Sequence, residues 1–177
     1  MIVDEYIRPQ PGNRIVDIGC GPGTMLPYLG PVDYTGFDLN AAYIEHAKQN
    51  YSGQGTFFQA RVDDVADQLE SGIDIVIAIG VLHHLGDQEA RALFTAANRI
   101  LRPGGRLITF DCVFTSPQNP IARLLIRLDR GKAVRTVGGY LSLAKESFTE
   151  VDVNIRTDLL RMPYTHCIMV SHKNECP

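Results

Sequence analysis

No apolar run in the chain approaches the ~18 residues that a membrane-spanning helix requires, and the opening stretch MIVDEYIRPQPGNR lacks the apolar centre of a signal peptide. These two absences predict a cytoplasmic protein with no membrane span. Cysteine is scarce and scattered. Cys20, Cys112, Cys167 and Cys176 form no C-x-x-C pair and no paired spacing, so neither a zinc site nor a disulfide framework is encoded; free thiols and no metal are expected. There is no long run of one charge, and a net charge of −3 carries no footprint of nucleic-acid binding. Internal repeats and low-complexity segments are absent too. What remains is a chain of 177 residues, 45% apolar and 21% charged, which suits a single domain over residues 1–177 with a sizeable core.

Strand and helix signals alternate along it. Arg14–Ile18 reads as a short apolar strand; Thr24–Leu29 can open a helix that Pro27 keeps short. Tyr34–Leu39 is a second strand, followed by Asn40 as a cap and a helix over Ala41–Asn50. Thr56–Ala60 is a third strand, with a weaker helix over Asp64–Glu70. Ile73–Ile79, IDIVIAI, is apolar throughout except for Asp74, as a strand covered on both faces would be. Asp87 can cap a helix over Gln88–Leu101, which Pro103-Gly104-Gly105 stops, and Gly105–Asp111 is a fifth strand. Such alternation predicts an α/β fold, a parallel sheet with helices on both faces. The end breaks the rhythm. After a helix near Tyr140–Phe148, EVDVNIRTDLL and THCIMVSHK are two strands joined only by Arg161–Tyr164, too short for a crossover helix, so the pair should be antiparallel.

Ligands of open parallel sheets bind at the carboxyl ends of the strands, and the first strand-to-helix turn usually lies there. Gly19, Gly21 and Gly23 occupy that turn, where missing Cβ atoms let backbone approach a ligand and the next helix offers free N–H groups. Asp38 follows at the end of the second strand, placed to accept hydrogen bonds from ribose hydroxyls. A pyrophosphate loop would read G-x-G-x-x-G/A; here Gly19-Cys20-Gly21-Pro22-Gly23-Thr24 has no glycine or alanine at the sixth place.

VDIGCGPG (Val16–Gly23) resembles the first motif of the class I S-adenosylmethionine-dependent methyltransferases. The resemblance extends to TGFDLN, to DIVIAIGVLHHL (Asp74–Leu85), to LRPGGRLITFD (Leu101–Asp111) and to the terminal antiparallel pair. It implies a Rossmann-like, doubly wound, mostly parallel seven-stranded sheet with one antiparallel strand near the C-terminus. It also implies S-adenosylmethionine as cofactor, S-adenosylhomocysteine as product, and methyl transfer to a small molecule. The implied cofactor residues are Asp17 (positioning the loop and the methionine part), Gly19, Cys20, Gly21, Gly23, Asp38 on the ribose, Leu39 against the adenine, Val62, Asp63 and Ile79. Relatives often carry an acid after the third strand for the adenine amino group. That place holds Arg61, so either Asp63 serves or the adenine is held by stacking and backbone contacts. A NAD-dependent oxidoreductase and a non-catalytic, methyltransferase-like binding module are the alternatives.

Methyl transfer needs alignment first and a general base only for an acceptor with a high-pKa proton. Candidate catalytic residues are His84, beside His83 after the fourth strand, Asp111 at the end of the fifth, and Tyr164 and His166 around the last. The segment Cys112–Gly139 is read as a lid or insert. Asn119 can cap a helix over Ile121–Arg130, stopped by Gly131, with Ile121, Leu124, Leu125 and Leu128 on one face and Arg123, Arg127 and Arg130 largely on the other. As a lid it would turn the apolar face inward, with Lys132 and Arg135 attracting an anionic acceptor. About a dozen residues precede the first strand, so the cofactor cleft is expected to be open, or closed in part by a second subunit of a homodimer.

Overall fold

A computed structural model describes residues 2–129 and 131–175. Arg130 and Cys176, named above, lie outside the described residues. Seven strands form one sheet: β1 (Arg14–Ile18), β2 (Asp33–Asp38), β3 (Thr56–Gln59), β4 (Ile73–Ile79), β5 (Leu101–Cys112), β6 (Glu150–Arg156) and β7 (His166–His172), in the order β3-β2-β1-β4-β5-β7-β6. The pairs among β1 to β5 are parallel; β7 runs antiparallel to both β5 and β6. The expected α/β sheet with one antiparallel strand is the observed one. The order reverses between β1 and β4, which places the loop after β1 at a topological switch point.

Among the described residues four α-helices accompany the sheet: α1 (Ala41–Asn50), α2 (Asp87–Ile100), α3 (Pro120–Leu128) and α4 (Val137–Lys145). β4 shows why its sequence is nearly all apolar. Val76 and Ala78 join a cluster with Leu93, Phe94 and Ala97 of α2 and Tyr140 and Leu143 of α4. Ile75 and Ile77 face the opposite cluster, with Ile44 and Ala47 of α1 and Val3 and Ile7 from the N-terminal turn Val3–Ile7. Side chains alternate across a strand, so a strand covered on both faces needs apolar residues at every step.

The structure moves several boundaries. The residues around Pro27 make only a 3-10 turn, Leu26–Tyr28, and the weak helix predicted over Asp64–Glu70 is a 3-10 turn, Val62–Asp67. Asn40 caps α1 as expected, its side chain accepting from the N–H groups of Ala42 (2.9 Å) and Tyr43 (3.4 Å). Asp87 does not cap α2. The cap position is Gly86, whose N–H donates to the Glu89 carboxylate at 3.1 Å, while Asp87 binds Arg135 at 2.7 Å. The helix predicted near Tyr140–Phe148 begins earlier, at Val137, because the Thr136 hydroxyl accepts from the Gly139 N–H. α2 runs straight into β5, and the register breaks between Leu101 and Arg106 to pass the turn at Gly104. The link between β6 and β7 spans residues 157–165, longer than the four residues predicted. Among the described residues no helix is long and apolar enough to cross a membrane.

Phe94 is fully buried between α2 and the sheet. Phe94→Ala is expected to cost roughly 3–5 kcal/mol in urea unfolding, through lost burial and a residual cavity; a loss below about 1 kcal/mol would contradict this packing.

Candidate functional site

The three glycines of the loop after β1 differ in role. Gly19 has φ +78°, and a Cβ there would lie 2.5 Å from Cγ2 of Val81, just beyond β4, so any side chain would force the loop off the strand end. Gly21, at φ +54°, has nothing within 4 Å of that position: its bare face is turned to open space. At Gly23 a Cβ would crowd Tyr51 and Phe57, inside the domain. The Gly19 and Cys20 N–H groups both donate to the carbonyl of Phe37, at 2.7 and 2.9 Å, and tie the loop to β2.

Asp38 completes that tie. One carboxylate oxygen accepts from the Gly21 N–H and the other from the Asn40 N–H, both at 2.8 Å, so the group is held rigid at the end of β2 with lone pairs to spare. Beside it opens a cleft of about 360 Å³. Gly19 and Gly21 line one end, Asp38, Leu39 and Tyr43 a side, Arg61, Val62 and Asp63 another, and Gly80, Val81 and His84 the floor toward β4. Leu39 and Tyr43 leave 62% and 48% of their surface in water there. Two exposed apolar side chains beside a fixed carboxylate suit a ligand with a flat ring and a diol. Arg61 shares the cleft with Glu89, 3.9 Å from its carboxylate.

Cys20, Gly23, Asp17 and Ile79 are not among the residues lining the cleft. Cys20 faces the core, its sulfur close against Gly36. Asp17 is buried and accepts a 2.7 Å hydrogen bond from the Tyr34 hydroxyl. Burial pushes its carboxyl up to about 7, an effect that the Tyr34 bond only partly offsets.

The candidate catalytic residues come together in part. His83, on the short turn Leu82–His84, donates its backbone N–H to Asp111 at 3.1 Å, and its Nδ1 lies 2.7 Å from the same oxygen. Its Nε2 faces Asp129 at 3.7 Å, and Asp129 accepts from the Tyr164 hydroxyl at 2.8 Å. Asp111 is almost wholly buried and its second oxygen has no hydrogen-bond partner; burial pushes its carboxyl up. Burial also raises the Cys112 thiol to about 11. Burial and the bond to Asp129 push the Tyr164 hydroxyl up. His84, its ring centroid 4.1 Å from that of His83, lines the cleft, with its pKa lowered chiefly by burial. His166 stacks on Phe110 at 4.6 Å, and burial lowers its pKa.

The spacing of residues in the chain hid one cluster. His83, Cys112 and Asp129 bring three potential metal ligands within 4.8 Å of one another, although no linear motif announces them. Asp129 was missed as a site residue because the predicted helix ran through it; α3 ends at Leu128, and Asp129 turns inward to accept from the Gly131 N–H at 3.0 Å. The signal was present as an aspartate two residues before a glycine, the pattern of an Asx turn.

The lid expectation also needs correction. Residues 129 and 131–135, rather than the apolar face of α3, cover the turn that carries His83. Gly131 packs so closely on the His83 ring that no side chain fits there, and Ala133 donates to the His83 carbonyl at 2.9 Å. Arg135 is not available to an anionic acceptor: it donates to the carbonyls of Leu82, Leu85 and Ala133 and to Asp87. On α3, Ala122 and Ile126 are buried, while Ile121, Leu124 and Leu128 are exposed.

A family model described as a methyltransferase domain matches residues 16–107, from the glycine loop through the middle of β5. The chain belongs to the methyltransferase domain family. Phosphoethanolamine N-methyltransferase 1 of Arabidopsis thaliana is 27% identical over 161 residues, which are 87% of this chain and 32% of that protein. Two solved structures share the fold: a SAM-dependent methyltransferase of Methanosarcina mazei, with 18% identity, TM-score 0.73 and coverage of 99% and 98% of the two chains, and phosphoethanolamine N-methyltransferase 2 of Haemonchus contortus in complex with S-adenosyl-L-methionine, with 14% identity, TM-score 0.75 and coverage of 98% and 51%. The chain spans between about a quarter and two fifths of the length of the curated relatives it matches.

The buried Asp17 of this methyltransferase domain holds its proton to a higher pH than the unfolded chain does, from 3.8 up to about 7. An acid raised in the folded state contributes stability that falls as pH rises through that window. Asp17→Asn is therefore expected to match the wild type near the acid end and to be the more stable by pH 8, the gap widening with pH by at most about 1.4 kcal/mol per unit. Melting curves that stay parallel across that range would refute it.

Proposed function

We propose that this domain catalyses methyl transfer from S-adenosylmethionine to a small-molecule acceptor. The observation that carries the reading is the clamped Asp38 carboxylate, tied to Gly21 in the loop of the family match and opening onto a cleft walled by exposed Leu39 and Tyr43. Asp38 has lone pairs for a ribose diol, Leu39 and Val62 supply apolar walls for an adenine, and Asp63 sits beside them to meet its amino group, in place of the acid that Arg61 displaces. Gly19 and Gly21 leave the backbone bare for the methionine part, at the end of the cleft next to Gly80 and His84. When bound, the cofactor supplies an electrophilic methyl on a sulfonium. The protein's own part is to bind, orient and exclude water, effects that together reach on the order of 7–11 kcal/mol in well-aligned reactions.

For an acceptor that must lose a proton, His84 is the candidate that reaches the cleft, and His83, enclosed between Asp111 and Asp129, positions the turn that carries it. His84, which lines the cleft, is placed to contact the cofactor or the acceptor. The Arabidopsis relative is named for phosphoethanolamine, and an amine or hydroxyl acceptor suits a site of this kind. An anionic acceptor is a finer reading, left to Lys132 because Arg135 is engaged elsewhere. The domain's place in the cytosol is proposed from its three described cysteines, all buried and unpaired. A second subunit closing the open cleft is likewise a proposal, which light scattering with and without S-adenosylhomocysteine tests.

Calorimetry with S-adenosylhomocysteine and NADH in parallel tests the cofactor: binding of NADH alone would overturn the reading. Asp38→Ala is expected to weaken S-adenosylhomocysteine binding by about 1–3 kcal/mol, the range for hydrogen bonds to a charged group. Unchanged affinity in a folded variant would remove Asp38 from the site. A labelled-methyl assay over amines, phenols and carboxylates tests turnover. Tight cofactor binding with no transfer to any of them would favour a non-catalytic binding module.

A further inference from the structure

α3 rests on the domain through Ala122 and Ile126 and leaves Ile121, Leu124 and Leu128 in water, 57%, 56% and 72% exposed. At 100° per residue these three fall in one stripe along the helix. The first turn of α3 walls a groove of about 570 Å³ whose far side is residues 155–165, and that side exposes Leu160 and Met162 by 49% and 54%. Single exposed apolar side chains are ordinary, but six large ones around one groove and its helix, with Ile155 on the far side included, form a patch that asks for a partner.

The charges around the patch have one sign. Arg123 and Arg127 sit on the exposed side of α3, Arg161 on the rim of the groove and Lys132 just beyond the helix. The acids nearby point elsewhere: Asp129 turns inward to Tyr164 and Gly131, and Asp158 is held by Arg156. So a chain of net charge −3 presents here a face of cations and bare leucines. A second copy of the chain is a poor match, because two-fold pairing through α3 would set Arg123 and Arg127 against their own counterparts with no acid between them. A surface that is at once apolar and anionic is the complementary one.

We propose that the outer face of α3, with Leu160 and Met162, docks on an anionic lipid bilayer, the leucines entering the headgroup boundary and the arginines meeting lipid phosphates. The surface acts independently of methyl transfer and is tested without it. The full chain is sedimented with vesicles of phosphatidylcholine, and with vesicles of phosphatidylcholine mixed with phosphatidylglycerol. Pelleting with the mixed vesicles is expected, with little on the neutral ones and a decline as salt is raised. Arg127→Gln should lower partitioning about fivefold. Leu124→Ser with Leu128→Ser should lower it on the order of tenfold or more, while the urea midpoint stays unchanged because both residues are exposed. Absence of pelleting, equal pelleting on neutral vesicles, or undiminished binding by the double variant would each overturn the proposal. So would a concentration-dependent dimer in light scattering that the same double variant abolishes, since the face would then belong to a second copy.

Discussion

The carboxylate of Asp38 is where the architecture of the site is joined. Its two oxygens accept from Gly21 and from Asn40, the first in the loop after β1 and the second at the start of α1. The loop that lines one end of the cleft is thereby held by the strand that presents an acid to the same cleft. Neither N–H has a helical or ladder partner to return to, so removing the carboxylate would leave two donors to water and free the loop at once. The close approach of Gly19 to Val81 fixes the other side of the loop against the end of β4. Cleft, cofactor reading and membership of the methyltransferase family all depend on this short stretch keeping its path.

A second anchorage lies just beyond the end of β4, the central strand of the sheet. Residues 131–135 bind the turn after β4 through backbone and through Arg135, and with Asp129 they enclose His83, which lies between Asp111 and Asp129. This attachment also sets how α3 lies. The helix is pinned at its start, where Gln118 donates to the Val113 carbonyl at 2.9 Å, and at its end, where Asp129 turns in. Between the two pins the small side chain of Ala122 permits the closest approach, so Ala122 and Ile126 are the residues buried and the leucine stripe is left facing water.

Much of the fold was legible because it is written in local and periodic signals. IDIVIAI announces a doubly covered strand, Asn40 a helix start, and the bare loop with Asp38 beyond it the edge where the cleft opens. The errors have local causes as well. Asp87 has the chemistry of a cap but lies one residue inside α2, since Gly86 and Glu89 already close that end. Cys20 lies within the glycine loop yet packs into the core, because side chains of a tight turn need not follow its backbone toward a ligand. Asp17 is an acid in the right motif whose side chain is turned to Tyr34 instead of to the cleft.

The sequence by itself determined the strand and helix alternation, the antiparallel ending, the glycine path and the acid at the end of β2, because each rests on residues near one another in the chain. The tertiary structure decided which histidine meets a carboxylate, that Arg135 is a brace, and which face of α3 is covered. Asp111 and Asp129 reach His83 across 28 and 46 positions of sequence. No periodicity encodes such meetings, since they depend on where β5 ends and how the following segment folds back. The amphipathic pattern of α3 was visible from the start; only packing could say that its apolar side would look outward.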